Sequence, residues 1–228
     1  KQLRSRVSSI SNIQRVTNAM QLVAAAKMRR AQEAIVAARP YALQLDRVLQ
    51  QLSANINVGQ HPLMSERPVE KVGVLVVTSD RGLCGGFNTN ICRKTLQEVQ
   101  GLSEVETGLV TVGRKGRNFF RSRGFDIRKE YDAAFQSMDF ASVATIAEDL
   151  TGQFLTGDLD QVLIAYSEFI SVARQQPSVE QLLPILPKEL DDSEQSGEYI
   201  FEPSPESLLD TLVPRHVNFQ VWRALLES

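Results

Sequence analysis

Cysteine, histidine and tryptophan are scarce in this sequence. Its 228 residues contain two cysteines, two histidines and one tryptophan. The cysteines, Cys84 and Cys92, do not form a C-x-x-C redox pair, and His61 and His216 lie far from them in the chain. This spacing excludes a zinc site of the usual kind and a disulfide framework. We expect two reduced thiols in a protein that faces the cytosol.

Long apolar runs are also missing. None approaches the ~18–20 residues of a membrane span, and the first residues do not have the pattern of a signal peptide. With 43% hydrophobic and 23% charged residues, the composition is that of an ordinary folded protein and not of a disordered chain. A role at a membrane would therefore require partners that hold the chain there.

The formal net charge of −2 conceals two segments of opposite sign. Residues 1–39 contain eight basic residues and one acidic residue, Glu33. Residues 186–210 contain eight acidic residues against Lys188 alone. Such an asymmetry favours partners of defined charge. Within the acidic segment, Lys188–Glu198 is polar enough that we expect it to be poorly ordered.

No glycine precedes Gly59, and the residues before it are good helix formers. Apolar residues recur there at steps of four and three, which predicts a helix with a coiled-coil seam. The seam consists of Ala24, Met28, Ala31, Ile35, Ala38, Ala42, Leu45, Leu49, Leu52 and Ile56. Because the seam keeps its phase across Pro40, we predict one helix from Leu3 to Ile56, bent at or near that proline.

This helix is too long to be covered by a compact domain. About 55 helical residues span about 80 Å, whereas a compact chain of this length has a diameter of roughly 45 Å. The predicted helix must protrude, and its seam needs a second helix. A second helix is predicted to start with an N-cap, a first-turn proline and a first-turn acidic residue, at Ser204, Pro205 and Glu206. Its apolar positions are Leu208, Leu209, Leu212, Val213, Val217, Val221, Leu225 and Leu226. We expect Ser228 to lie in the middle of that helix.

Between the two helices, strand and helix patterns alternate. The fold class predicted is α/β: a mainly parallel sheet with helices on its faces, plus N- and C-terminal helices that form an antiparallel coiled coil. The predicted strands are Val72–Thr78, Leu109–Val112, Phe125–Tyr131 at an edge, Val162–Tyr166, and a last strand from Val172 or Ser178 to Leu183. The predicted helices are Thr89–Val99, Lys115–Arg123 and a helix from Asp139 to Leu155. The expected segments are 1–58, 68–186, an acidic loop with a short strand or foot at 187–203, and 204–228.

A glycine-rich turn follows the first strand, at Ser79–Asn88. A strand, glycine turn and helix in this order can bind phosphate at the helix N-terminus. However, the spacing is not G-x-G-x-x-G, and no Lys-Ser/Thr pair follows as in a P-loop. A structural or contact loop tied together by Asp80 and Arg81 is the favoured interpretation. A free nucleotide-dependent enzyme that uses this turn remains the alternative.

Other chemistry finds less support in the sequence. Cys84 has no neighbouring histidine, and there is no G-x-S-x-G elbow, so nothing indicates a nucleophile. The basic first segment has a single aromatic residue near it, Tyr41, and an apolar seam that needs a protein partner. We therefore expect no nucleic-acid binding, no cofactor and no metal.

Two patterns are specific enough to indicate a family. The first helix contains T-x-A-M-x-x-V-A-A from Thr17 to Ala25, and the turn contains D-R-G-L-C-G-G from Asp80 to Gly86. These two patterns lie within the longer matching segments Ile13–Arg30 and Ser79–Asn88. Three more segments match: Ala38–Tyr41, Gln181–Pro184 and Tyr199–Pro203. In order and spacing, from Lys1 to Ser228, they resemble the gamma subunits of F-type ATP synthases.

The resemblance implies a non-catalytic central stalk that rotates inside the ring of alpha and beta subunits and also regulates ATPase activity and proton flow. It implies peripheral attachment to the cytoplasmic side of the cell (inner) membrane through partners only. Contacts with the beta subunits are implied for Met20, Lys27, Arg29 and Arg30. The base of the shaft is implied for Asp80, Arg81, Gly82, Cys84, Gly85 and Gly86. Contacts with the epsilon subunit and the c-ring are implied for Tyr199, Phe201, Glu202 and Pro203.

The sequence departs from this family in two places. The C-terminal helix of the family continues well beyond the position of Ser228, so we expect the part that lies along residues 1 to 30 to be missing. The paired-cysteine insert of the chloroplast members is also missing, so we expect no regulation by thiols.

Overall fold

The computed structural model describes residues 2–55, 61–132, 140–171, 174–186, 202 and 204–228. Strands and helices alternate over most of this length. In chain order the elements are α1 (Gln2–Asn55), β1 (Lys71–Val77), α2 (Phe87–Gly101), β2 (Glu106–Val112), α3 (Arg114–Arg121), β3 (Ile127–Tyr131), α4 (Phe140–Thr156), β4 (Gln161–Ser171), β5 (Arg174–Leu183) and α5 (Pro205–Glu227).

The sheet is mainly parallel, as predicted. Its strand order is β3-β2-β1-β4-β5, and every pairing is parallel except that of β4 with β5. The two antiparallel strands follow each other without an intervening helix, whereas each parallel pair is separated by at least one helix. β1 is central and buried on both faces, which explains its continuous apolar run. The charged strand β3 lies at one edge, also as predicted.

Each face of the sheet has its own apolar layer. One layer is built around Val72, Val74, Val76 and Phe120, with partly buried residues of α2 and α3. The other joins Leu75 and Val77 of β1 to the residues of α1, α4 and α5 that are buried most deeply. Among the latter are Leu45, Leu49, Leu52, Ile146, Leu150, Val213, Val217 and Val221. The second layer therefore holds both terminal helices against the domain.

The chain divides into two compact units, Lys1–Pro40 and Tyr41–Ser228. In the first unit the described residues all belong to α1, and many of their apolar side chains are exposed. These include Leu3, Val7, Ile10, Ile13, Val16, Met20, Val23 and Met28. α1 is one helical element that contains Pro40, as the seam predicts. Because proline lacks an N–H, the helical hydrogen bond to the carbonyl of Val36 is missing there.

In the second unit, α5 runs antiparallel to the end of α1. The rings of Tyr41 and Phe219 have centroids 5.8 Å apart, and Asp46 lies beside His216, one turn earlier on α5. α5 begins as predicted, with the Ser204 side chain accepting a 3.2 Å hydrogen bond from the backbone N–H of Ser207. None of the helices described here is long and apolar enough to cross a membrane.

Some predictions concern residues outside the described ranges. These are the helix start at Asp139, the order of Lys188–Glu198, the end of the seam at Ile56, and the short strand or foot at Tyr199–Glu202 except for Glu202 itself. The division into four segments likewise stays a prediction.

Candidate functional site

The basic residues predicted to be functional on α1 do not share one face. At about 100° per residue, Met20, Lys27 and Arg30 fall within an arc of about 80°, whereas Arg29 points to the opposite side. All four side chains are exposed. The structure therefore presents cations around the helix instead of a single basic stripe.

Arg29 has a partner on its own helix. Its Nε lies 2.9 Å from Oε1 of Glu33, one turn further along, and both side chains are exposed. Pairs of this kind contribute about 0.3–0.5 kcal/mol to the helix. Glu33 is the only acidic residue before Asp46. The pair therefore reduces the local positive charge on the side opposite Lys27.

The glycine-rich turn is held closed by its own side chains, with Asn88 at the centre. Oδ1 of Asn88 accepts a 2.9 Å hydrogen bond from the backbone N–H of Ser79. Nδ2 of Asn88 donates to Oγ of Ser79 at 2.9 Å and to Sγ of Cys84 at 3.0 Å. Oγ of Ser79 donates to the carbonyl of Arg81 at 2.6 Å. Arg81 therefore contributes its backbone, while its side chain is exposed.

Asp80 connects the turn to the next helix. Its Oδ1 accepts a 3.0 Å hydrogen bond from the backbone N–H of Arg114, the first residue of α3. A carboxylate at a helix N-terminus satisfies a free N–H and is favoured by the helix dipole. The prediction that Asp80 ties its own turn together is thus refined, because the contact described for it is with α3.

Thr78 and Gly113 bring β1 and α3 together, and neither residue was predicted from the sequence to have this role. Oγ1 of Thr78 donates to the carbonyl of Val112 at 3.1 Å and accepts from the N–H of Gly116 at 2.8 Å. Gly113 has a φ of +88°, and a Cβ on it would lie 1.9 Å from the carbonyl oxygen of Thr78. The one available signal was a threonine that ends an otherwise apolar strand.

The glycines of the turn have different roles. Gly85 has a left-handed φ of +59°, with open space where a side chain would be. A Cβ on Gly86 would come within 3.0 Å of the Asn90 side chain, and one on Gly82 would contact Lys115. Leu83 is also left-handed, with φ at 64°, and its side chain is fully exposed at the tip.

These features support a rigid contact surface better than a reaction centre. The exposed Cys84 thiol lies in the turn, whereas burial raises the pKa of Cys92 in α2 to about 12, an effect that Arg123 only partly opposes. The N-terminus of α3 is already occupied by the carboxylate of Asp80. Among the described residues no three His, Cys, Asp or Glu side chains cluster as metal ligands.

The predicted contact segment before α5 is described at one position only. Glu202 lies in a bend and is exposed. Tyr199, Phe201 and Pro203 lie outside the described residues.

A polar cluster at the end of α5 was not anticipated from the sequence. Nη2 of Arg223 donates to Oε2 of Glu180 at 3.0 Å and to the hydroxyl of Tyr166 at 3.1 Å. The Tyr166 hydroxyl donates to Oε1 of Glu180 at 2.7 Å. Burial raises the pKa of Tyr166 and of the nearby Glu227, and Arg223 opposes both shifts. Arg223 is more than 40 residues away from both Tyr166 and Glu180 in sequence, so no local pattern indicates this cluster.

Both histidines of the chain face an aspartate near α5. Nδ1 of His216 lies 3.3 Å from Asp46, and Nε2 of His61 lies 3.6 Å from Asp210. Burial lowers the pKa of His61, and the Asp210 carboxylate opposes that shift.

Comparison with known proteins gives a consistent result along the whole chain. A family model described as ATP synthase matches residues 1–228. The ATP synthase gamma chain of Chlorobaculum parvum is 46% identical over 234 residues, covering all of this chain and 80% of the relative. The gamma chain of Geotalea daltonii is 43% identical over 230 residues with the same coverage.

Solved structures resemble this fold as well. The central stalk and c-ring structure of the Tetrahymena thermophila mitochondrial ATP synthase contains a chain with a TM-score of 0.70 and 25% identity, covering 93% of this chain and 92% of that one. A rotor structure of the Euglena gracilis mitochondrial ATP synthase has a TM-score of 0.50 and 16% identity over 88% of this chain and 84% of its own, a likeness of fold alone.

Proposed function

Since the chain belongs to the gamma chain family of ATP synthases and is a central stalk subunit of the F-type enzyme, we propose that it transmits rotation of a membrane c-ring to catalytic beta subunits. In this role it couples proton flow to ATP synthesis and regulates ATPase activity. It contributes no catalytic residue and is held at the cytoplasmic face of the cell membrane by its partners.

The observation that carries this proposal is the continuity of α1. One helix of 54 residues runs from exposed cationic and apolar side chains near its start to buried leucines of the α/β domain near its end. A rotor needs a long, stiff element, and a continuous helix of this length provides one. The exposed apolar residues before Pro40 form a seam that a partner helix would cover.

We further propose that Met20, Lys27, Arg29 and Arg30 meet the beta subunits. A shaft that turns past several subunits needs attractive contacts that are weak enough to form and break as it turns. Long, exposed Lys and Arg side chains distributed around the helix can make such contacts, because each exposed ion pair contributes only roughly 0.2–1 kcal/mol. The turn at Asp80–Gly86 is then the rigid base of the shaft, and Glu202 belongs to the surface that meets the epsilon subunit and the c-ring.

The test is the replacement of Lys27, Arg29 and Arg30 by alanine in the assembled complex. We expect each single variant to be mild and the triple variant to slow coupled ATP synthesis several-fold without affecting folding. Because exposed pairs are screened over about 8–10 Å, added salt should partly reproduce the triple variant.

The matched control removes Arg4, Arg6 and Arg15, which lie on the same helix and carry the same total charge. It should slow synthesis less than the first triple variant if the contact is local to Met20–Arg30. Equal losses for both triple variants, or wild-type synthesis at every salt concentration, would contradict the assignment.

The non-catalytic role is tested on the isolated chain by calorimetry with ATP. We expect at most weak binding and no hydrolysis, because the turn has no P-loop lysine and is closed by its own hydrogen bonds around Asn88. Micromolar binding that Gly85→Val abolishes would instead support a nucleotide site in the turn. Gly124→Val is the control, since Gly124 has a similar left-handed φ of +76° and open space around it.

A further inference from the structure

The end of α5 meets the sheet through two kinds of contact. Val217, Val221 and Leu225 are buried in the apolar layer beneath the sheet. Apolar packing of this kind is strong but non-directional, so it resists separation of the helix from the sheet more than sliding along it. Directional contacts are concentrated in the last six residues, from Arg223 to Ser228.

Arg223 spans both strands of the β4–β5 hairpin. Its guanidinium donates to Tyr166 of β4 and to Glu180 of β5, and those two residues are themselves hydrogen-bonded. The Arg223 and Glu180 side chains are 35% and 43% exposed, so the ion pair is only partly screened by solvent. One closed network of hydrogen bonds thus connects α5, β4 and β5.

Glu227 and Ser228 bind the backbone of β4 directly. Oγ of Ser228 accepts a 3.1 Å hydrogen bond from the N–H of Ser167, and Oε2 of Glu227 accepts one of 3.3 Å from the N–H of Phe169. The pairing of β1 with β4 ends at Ala165, so within the described part of the chain no strand is paired with this side of β4 beyond that point. The side chains of Glu227 and Ser228 therefore take the place of a paired strand.

Pro177 is consistent with the direction in which the backbone N–H of Ser167 points. It is the residue opposite Ser167 on β5 and has no N–H to offer. The Ser167–Pro177 pair therefore does not exchange N–H···O bonds, and the N–H of Ser167 points away from β5 towards Ser228, to which it donates. Because Ser167 is buried, its N–H would have no ready access to water without Ser228.

We propose that Arg223, Glu227 and Ser228 form the joint that fixes α5 on the β4–β5 hairpin and carries load between the α/β domain and the helices when the rotor turns. This inference rests on the proposed function and names the positioning residues that it requires. A directional joint of this kind keeps the helix from slipping while the apolar layer stays intact.

The experiment compares Arg223→Met, Arg223→Lys and the double variant Arg223→Met with Glu180→Met in the assembled complex. The readout is the ratio of ATP-driven proton pumping to ATP hydrolysis in membrane vesicles. We expect Arg223→Met to lower the ratio at least two-fold with hydrolysis retained, and Arg223→Lys to lower it less. The double variant removes both charges of the Arg223–Glu180 pair, although Glu227 loses its 3.9 Å contact with Arg223, so it should recover part of the lost thermal stability. It should not recover the pumping ratio, because the directional contact is still missing.

The matched control is Lys94→Met, which breaks the 2.6 Å Lys94–Glu98 ion pair on α2, of similar exposure. It should leave the ratio unchanged. A double variant that restores both stability and pumping would show a purely structural role and overturn the joint, as would wild-type pumping in all three variants. The proposed function fails separately if complexes assembled without this chain pump protons as well as those that contain it.

Discussion

At the scale of single residues, Gly113 allows β1 and the start of α3 to approach each other closely. Gly113→Ala would combine a left-handed φ of +88° with a Cβ 1.9 Å from the Thr78 carbonyl oxygen. We expect it to lower the free energy of unfolding by at least about 2 kcal/mol, measured by urea denaturation. Gly152→Ala, in open space within α4, should instead stabilise by about 0.5–1 kcal/mol. Similar effects of the two alanines would contradict the crowding at Gly113.

The two cysteines, both within the described residues, should differ sharply in reactivity. Cys84 is exposed, whereas Cys92 is buried with its thiol pKa raised to about 12. Since the thiolate is the reactive form, a maleimide at neutral pH should label one equivalent in the folded chain and two in urea. Cys84→Ser should abolish the native labelling, and Cys92→Ser should leave it intact. Rapid labelling of both thiols in the folded chain would be inconsistent with this burial.

At the scale of elements, the start of α5 depends on one hydroxyl. Ser204→Ala removes the acceptor for the Ser207 N–H and should cost about 1 kcal/mol of stability. Ser207→Ala is the matched control, because it keeps that N–H and changes only an exposed side chain. The difference between the two melting temperatures measures the cap, and equal values would show that it contributes nothing.

Periodic elements could be predicted from the sequence, and contacts between distant residues could not. The seam at Leu45, Leu49 and Leu52 and the apolar run of β1 each repeat a pattern that burial imposes. Arg223 gives no such signal, because a charged residue on an amphipathic helix ordinarily faces water. Its partners Tyr166 and Glu180 become visible only once the hairpin is folded. The same holds for Asp80, whose contact on α3 lies 34 residues away.

At the scale of the whole molecule, His61 should lower stability on mild acidification, whereas the raised pKa of Glu227 acts in the opposite direction. His61 has a folded-state pKa below its ordinary 6.5 because of burial, with Asp210 opposing. As the pH falls below about 6.5, the unfolded chain takes up a proton that the folded chain does not. The free energy of unfolding therefore decreases, by at most about 1.4 kcal/mol per pH unit.

His61→Asn tests this linkage. Nδ1 of His61 accepts a hydrogen bond from the N–H of Leu63, and an asparagine can supply a similar acceptor without titrating. The variant should flatten the stability profile between pH 7 and the folded-state pKa, measured by urea denaturation at each pH. An unchanged slope would assign the acid sensitivity to other groups.

The two edges of the sheet also affect how copies of this chain behave before they find partners. β3 presents Arg128, Lys129 and Glu130, and β5 carries Pro177, whose missing N–H faces outward. Charges and edge prolines interrupt the row of groups that another strand would need for pairing. The mixed sheet is thus protected against edge-to-edge aggregation at both ends, which keeps newly made chains available for assembly.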